Sequence, residues 1–304
     1  MKRVAVVTDS SASLPRTLAA SYAIDVVPLA IVFGGEVYAD GALSEEAFYA
    51  RLRAAPRLPT TAAPAPGAFL EAFLRAEAEA VVCVTLTAKF SGTYSVALQA
   101  ARLAQEKRPQ LEIRVLDSGS VAMGTGFVAL AAAGVALQRG DLEMVTAAAE
   151  EVCRRVYVIG VLESLHYLAK GGRVPKVAAW ASSLLQIKPI IQYWDGDVGL
   201  LERARTQPRA LSRLLEALAQ RVDHDDHLHV AVLHAAAPAL AEALAQQVQE
   251  RFQPQELLIV PFTQVLTAHT GPGLVGLAFY AERAQDGPSP SANAELRASP
   301  LDSL

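Results

Sequence analysis

Cysteine is almost absent. Only Cys83 and Cys153 occur, far apart in sequence, with no CxxC or other metal-type spacing. A disulfide framework beyond a single bridge is thereby excluded. Charge is also sparse. Charged residues make up 19% of the chain, and 27 Lys and Arg face 31 Asp and Glu, for a net charge of −4. There is no basic excess with which to neutralise phosphates, so nucleic acid is not an expected partner. The longest apolar run, Phe127 to Leu137, falls short of the ~20 residues that span a bilayer. The opening MKRVAVVTDS breaks its apolar stretch at Thr8 and Asp9 and reads as a first β-strand, not a signal peptide. The expected location is the cytoplasm. Internal repeats, a Walker A motif and a GxSxG elbow are missing too, which argues against a P-loop nucleotide site and against an α/β-hydrolase.

What is present is apolar content, at 52% of 304 residues. That is enough for one large core or two smaller ones, and the length favours two domains. In the first half, short β-branched runs alternate with helical patterns. Arg3–Thr8, Asp25–Phe33, Ala80–Thr87 and Leu111–Asp117 read as strands. Leu14–Tyr22 reads as a helix, and Ser44 followed by Glu45 and Glu46 reads as a helix start. Such alternation predicts a parallel sheet flanked by helices.

Helix Glu143–Arg155 is expected to lead into a second α/β domain of mixed sheet. There Lys188–Trp194 and Val198–Ala204 flank Asp195-Gly196-Asp197, a hairpin signal. Helix Pro208–Val222, strand His229–His234, helix Pro238–Phe252 and strand Glu256–Val260 follow. The resulting division is an N-terminal α/β domain over residues 1–155, a C-terminal α/β domain over 156–282, and a mobile tail over 283–304. The tail is rich in Ser, Pro, Ala and Asp and has no periodicity.

Several segments invite a chemical reading, each with a plainer one beside it. Gly124, Gly126 and Ala129 imitate a dinucleotide fingerprint. The acidic residue at the required distance, Asp141, precedes a helical pattern where a strand is needed, so glycines serving helix packing are the better reading. The run Asp223 to His229 suggests metal ligands but equally an ordinary polar loop entering a strand. Ser91, in Phe90-Ser91-Gly92-Thr93-Tyr94, falls at a helix N-terminus, where free N–H groups favour either an anion or a plain cap. Thr61 offers a hydroxyl in a Pro-rich turn. His269 sits in the glycine-proline loop Ala268–Gly273, where a lone His is more often structural. In Leu165–Arg173 a double glycine, Gly171-Gly172, fits a helix C-cap and leaves Arg173 projecting from the turn.

Taken together and in order, these segments resemble the DegV family of bacterial lipid-binding proteins. The resemblance rests on Val7-Thr8-Asp9-Ser10, Thr60-Thr61-Ala62-Ala63-Pro64, the Ser-Gly-Thr-Tyr segment at Ser91 and Asp117-Ser118 with Gly124 and Gly126. It continues through Leu165–Arg173, Lys188-Pro189-Ile190 and His269-Thr270-Gly271-Pro272-Gly273, and so covers about residues 3–281.

It implies a buried long-chain fatty acid as the bound ligand, with no cofactor and no metal. By position, the carboxylate would be held by Thr61, Ser91 and His269, supported by Gly92, Thr93, Thr270 and Gly271. Arg173 and Arg205 match positions tied to the head group or to a kinase. The implied role is non-catalytic: carrying the acid to a separate ATP-dependent fatty acid kinase that makes acyl phosphate, with transient membrane-surface contact as a further expectation. A lipid carrier or sensor without a kinase is the alternative, and a Ser91/His269 hydrolase the more distant one. The chain departs from the family pattern at Ala62, Ala63 and Ala65, which thins the polar support around Thr61. It departs again at Gln207-Pro208-Arg209, where the family has a basic run.

Overall fold

The computed structural model describes residues 2–174, 176–177, 187–194, 196–223 and 227–282. Among these, the first half runs β1 (Lys2–Asp9), α1 (Arg16–Ser21), β2 (Ile24–Val27), β3 (Ala30–Phe33), β4 (Glu36–Ala39), α2 (Glu45–Ala54), β5 (Thr60–Ala62), α3 (Pro66–Arg75), β6 (Ala78–Thr85), α4 (Thr93–Lys107), β7 (Glu112–Asp117), α5 (Met123–Leu137) and α6 (Leu142–Arg155). The second half runs β8 (Tyr157–Val161), α7 (His166–Gly171), β9 (Lys188–Trp194), β10 (Asp197–Ala204), α8 (Gln207–Ala219), β11 (His227–His234), α9 (Pro238–Phe252), β12 (Glu256–Pro261), α10 (Gln264–Thr270) and β13 (Val275–Glu282).

The fold is mixed α/β. The N-terminal half builds a parallel sheet in the order β2-β1-β6-β7 and a small antiparallel sheet in the order β4-β3-β5. The C-terminal half builds a six-stranded sheet, β10-β9-β8-β13-β11-β12, antiparallel except for the β11–β12 pair. Strands buried on both faces read as unbroken apolar runs. β6 fits that rule, with all but Glu79 buried.

The layers follow from which residues share a core. Val7, Val81 and Cys83 pack against α3 and α4 on one face of the parallel sheet. On the other face, Val4, Val6, Val82 and Val84 pack against α5 and α6, and the same core continues to Val158, Tyr193, Ala231, Leu233 and Ala278 of the six-stranded sheet. The far face of that sheet carries α8 and α9. Helices α5 and α6 therefore lie between two sheets. α5 is apolar nearly all round, as suits a helix packed between two sheets, and ten of its fifteen residues are buried. Phe127 meets Tyr280 of β13 edge-on with ring centres 5.3 Å apart.

Several sequence expectations hold. Ser44 Oγ accepts from Ala47 N at 3.2 Å and caps α2. The β9–β10 hairpin forms around Gly196, although Asp195 lies outside the described residues. The dinucleotide imitation resolves as packing. A Cβ on Gly124 would stand 2.8 Å from Val158 Cγ2, and one on Gly126 would stand 2.7 Å from the Ala12 carbonyl oxygen.

Others need correction. Asp25–Phe33 is two strands, not one, because Pro28 has no N–H to give a ladder. After it the chain leaves β1 for the small sheet. Thr60–Thr61 is strand β5, paired to β3, and not a loop. His269 sits in the last turn of α10, ahead of the glycine-proline loop. β8 and β13, central in the larger sheet, have apolar runs with no alternation to mark them. Residues 224–226 of the Asp223–His229 run and the 283–304 tail lie outside the described residues. His229 is in β11, with its Nδ1 3.0 Å from Glu256 Oε2. Among the described residues no group of His, Cys, Asp and Glu could hold a metal ion.

The two glycines of α5 that differ in surroundings make a test of this layering. Alanine is the better helix former by about 1 kcal/mol. At Gly134, where nothing lies within 4 Å of an added Cβ, Gly134→Ala should stabilise by up to that amount. At Gly126 the Ala12 carbonyl is in the way, and Gly126→Ala should destabilise by roughly 1–3 kcal/mol through overpacking. Urea denaturation of both variants checks the opposite signs.

Candidate functional site: a cavity between the two sheets

A cavity of about 220 Å³ lies over the α5-facing side of the six-stranded sheet. Its floor is Val158, Gly160, Ile191, Tyr193, Val198 and Gly276, and its opposite wall includes Leu29, Leu86, Phe90 and Val121 from the N-terminal half. Phe90 meets Tyr193 edge-on at 5.3 Å, so the two halves touch beside it. The polar side chains on the lining are those of Thr61, Ser91, Arg173, Tyr193, His269 and Thr270, with the backbone of Gly92 and Ala62 beside Ser91 and Thr61. Polar groups are few and the rest is apolar, as in sites that bind a mostly hydrocarbon ligand.

Thr61 and His269, 208 residues apart, are hydrogen-bonded, with Oγ1 and Nε2 separated by 2.8 Å. The β3–β5 pairing sets Thr61 opposite Ile31. On the other side, α10 is held against the N-terminal half by Asp40. Its carboxylate accepts from Val265 N at 3.2 Å and from Ser10 Oγ at 2.7 Å. Burial raises the Asp40 carboxyl above its ordinary value against these bonds.

Burial also pushes the His269 imidazole down to about 4, with the nearby Arg173 charge pressing the same way. His269 is therefore neutral near pH 7. With its proton on Nε2 it donates to Thr61 Oγ1, and the Thr61 O–H is then available to a ligand. Among the described residues His269 Nδ1 has no hydrogen-bond partner, and it faces Gly171, where a Cβ would come within 2.7 Å of it. The double glycine thus has two jobs. Gly172, at φ +69°, is the left-handed C-cap of α7, and Gly171 leaves room for the imidazole.

Ser91 lies just before α4, whose first residue is Thr93 and whose cap is Gly92. Its Oγ accepts from Thr93 N at 3.2 Å and lies 2.8 Å from Thr93 Oγ1. When Thr93 donates its hydroxyl, both lone pairs of Ser91 are used and its O–H points to a ligand as a pure donor. The segment leading there is anchored by Asp9, a fully buried carboxylate at the end of β1. It accepts from Leu86 N at 2.8 Å, from Ser11 N at 2.9 Å and from the Ser11 hydroxyl. Burial still raises its carboxyl to about 6.

The remaining expected residues divide. Arg173 is exposed, but it does not project freely. It donates to the carbonyls of Gly171 at 3.0 Å and Thr61 at 3.3 Å, crossing from one half to the other. Gly271, at φ +76°, packs on Tyr167 behind the site, where a Cβ would stand 2.3 Å from the ring. Arg205 is exposed at the end of β10 and is not on the cavity lining. The structural role of Asp9 carries no chemical signature in sequence, since an acid closing a first strand reads as a loop residue. Ala62 and Ala63 line the cavity, and Ala65 caps α3 without a side-chain bond.

The chain matches the model of the family described as "Uncharacterised protein, DegV family" over residues 3–282. It belongs to the DegV family. It is 35% identical over 288 residues to a DegV domain-containing protein of Halalkalibacterium halodurans, covering 93% of this chain and 100% of that one. It is also 35% identical to a Streptomyces coelicolor relative, over 91% of this chain and 98% of that one. Among solved DegV structures, a fatty-acid-binding protein from Thermus thermophilus superposes with a TM-score of 0.85 at 28% identity, covering 92% of this chain and 100% of that one. The fatty acid binding protein DegV of Bacillus subtilis gives a TM-score of 0.83 at 27% identity, over 93% of this chain and 100% of that one. A stearic-acid-binding protein from Eubacterium ventriosum gives 0.83 at 26%, over 92% and 98%. Among the described residues no helix is long and apolar enough to cross a membrane.

Asp9 and His269 should shape acid stability in opposite directions. Asp9 holds its proton in the native state up to about pH 6 against 3.8 unfolded. Its contribution is full below the unfolded value and is lost as the pH rises through 6. His269 titrates near 4 folded against 6.5 unfolded. Its contribution is full above 6.5 and is lost as the pH falls through 4. Each is worth on the order of 3 kcal/mol, so the slopes largely cancel between about pH 4 and 6. Asp9→Asn should make stability fall more steeply on acidification, and His269→Gln should make it rise. Urea midpoints taken across that range measure the two slopes.

Proposed function

We propose that this protein binds one long-chain fatty acid in the cavity between the sheets, with the carboxylate on Thr61 and Ser91 and with His269 close by orienting the Thr61 hydroxyl, and presents it to a separate ATP-dependent kinase for acyl phosphate formation. The observation that carries the binding reading is an apolar cavity whose few polar groups include the Thr61 and Ser91 hydroxyls beside a neutral imidazole, with the Arg173 cation close by. Hydroxyl donors suit an anion that must be hydrogen-bonded once it leaves water. An arginine field nearby favours the ionised form.

The tail supplies the affinity. At about 0.8 kcal/mol per buried CH₂, a chain of ~16 carbons gains on the order of 12 kcal/mol before entropy losses. At about 220 Å³ the cavity is smaller than the ~300–1,000 Å³ of sites that engulf a drug-sized ligand, so a long chain enters only as the walls yield. That the solved DegV relatives are described as fatty acid binding supports the same ligand here.

A Ser/His hydrolase would need His269 Nε2 on Ser91 and a carboxylate on Nδ1. Instead Nε2 is on Thr61 and Nδ1 faces Gly171. The presentation reading is supported by the family resemblance and by the exposure of Arg173 and Arg205, since guanidinium groups suit phosphate and protein surfaces alike.

Organic extraction and mass spectrometry of purified protein should find a fatty acid near one per chain. A protein that is lipid-free and also refuses added palmitate and oleate would sink the binding reading. Ser91→Ala should weaken binding by roughly 1–3 kcal/mol while leaving the fold intact, and the double change Thr61→Ala with Ser91→Ala should weaken it further. Binding unaffected by the double change would place the carboxylate elsewhere.

Arg205→Ala should retain fatty acid yet fail to support ATP-dependent acyl phosphate production when mixed with the kinase, and Arg173→Ala, which also removes the cation beside the carboxylate, should bind fatty acid more weakly and fail even when saturated with it. Full production from both variants would leave a carrier or sensor without a kinase as the better reading.

A further inference from the structure

The cavity floor has a gap in it. On the α5-facing side of the six-stranded sheet, β8 contributes Val158 and then Gly160, and β13 contributes Gly276 and then Ala278. Gly160 and Gly276 are register partners, and both line the cavity. Two adjacent positions at the centre of a buried sheet therefore carry no side chain. Glycine weakens a strand interior, so its presence there calls for a reason.

Backbone conformation does not supply one, since neither residue has a positive φ. For Gly276 the reason is packing. A Cβ there would stand 2.4 Å from the Ile159 carbonyl oxygen and 2.9 Å from Gly160 Cα. For Gly160 no such reason exists. Among the described residues a Cβ there meets nothing closer than 3.7 Å, which is ordinary van der Waals contact. The space above it belongs to the cavity, walled by Ile191, Leu274 and Tyr193. A strand glycine without torsional or steric need is commonly found where a ligand or another backbone comes close, and here the open side is the cavity.

We infer that the Gly160–Gly276 pair is a trough along which the acyl chain crosses the sheet, and that the missing side chain at Gly160 sets the length of acid accepted. This rests on the fatty-acid reading above. The trough selects for the tail and leaves the head group alone, so its effect must depend on chain length, whereas that of Thr61 and Ser91 must not.

The experiment is a graded series, Gly160→Ala and Gly160→Val. Co-purified acids are profiled by mass spectrometry, affinities are measured for saturated acids of increasing length, and thermal unfolding is followed for each protein. Gly160→Ala should melt at or above the wild-type temperature, because the methyl has room and the unfolded chain loses freedom. Each added methyl should move the bound acids to shorter chains. Affinity for the longest acid should drop roughly tenfold or more, the discrimination a single methylene makes in an apolar pocket, while short acids bind as before.

An unchanged length profile in a folded Gly160→Ala protein overturns the inference and leaves fatty acid binding standing, as does an equal loss at every length. Failure of the wild-type protein to bind any fatty acid overturns the parent reading instead. If Gly160→Val does not fold, the alanine variant alone decides.

Discussion

The contact on which the site depends is the hydrogen bond between Thr61 and His269. Each partner belongs to an element too short to be stable alone. β5 has three residues and α10 has seven, and both are held by packing and by buried polar anchors. Asp40 fixes α10 from the N-terminal side, and Arg173 bonds the Thr61 carbonyl from the C-terminal side. The polar end of the cavity is thus a join between the two halves of the chain and not a feature of either one.

The same join accounts for the electrostatics. Burial keeps His269 neutral at the cavity and raises Asp9 at the strand end that leads to it. Asp9 carries no chemistry at the cavity, yet its three accepted hydrogen bonds fix the strand end from which Leu86, Phe90 and Ser91 reach the lining. An imidazole without charge serves a carboxylate site by orienting a hydroxyl, and the cation that favours the anion stands outside it in Arg173. Separating orientation from charge in this way lets the interior stay apolar enough for a hydrocarbon tail.

Much of the fold was legible because the first half alternates strand and helix patterns that have different periods. The elements that escaped are those whose character comes from tertiary context. β8 and β13 are apolar on both faces, so they lack the alternation that marks a half-exposed strand. β5 is a strand only because β3 lies beside it. The candidate site residues were named through their resemblance to a family pattern, since a lone Thr, Ser and His at wide spacing have no local signature. The resemblance could not say that Gly171 makes room for His269, that Arg173 is tied across the halves, or that Arg205 stands away from the lining. Those depend on which segments the topology brings together.

Helix α5 has one face on the parallel sheet and another on β8 and β13. During synthesis β8 follows α5 within about twenty residues, but the β13 part of its second face is not complete until the chain reaches Glu282. At ribosomal speeds, on the order of ten to thirty seconds separate the appearance of α5 from that of β13. For that interval a nascent chain with an otherwise complete parallel sheet presents an apolar helix only partly covered, with Phe127 still without Tyr280, a surface of the kind that chaperones recognise and that aggregates form on. The sharing of α5 that joins the two sheets through one core leaves part of that core in the first half waiting for the second.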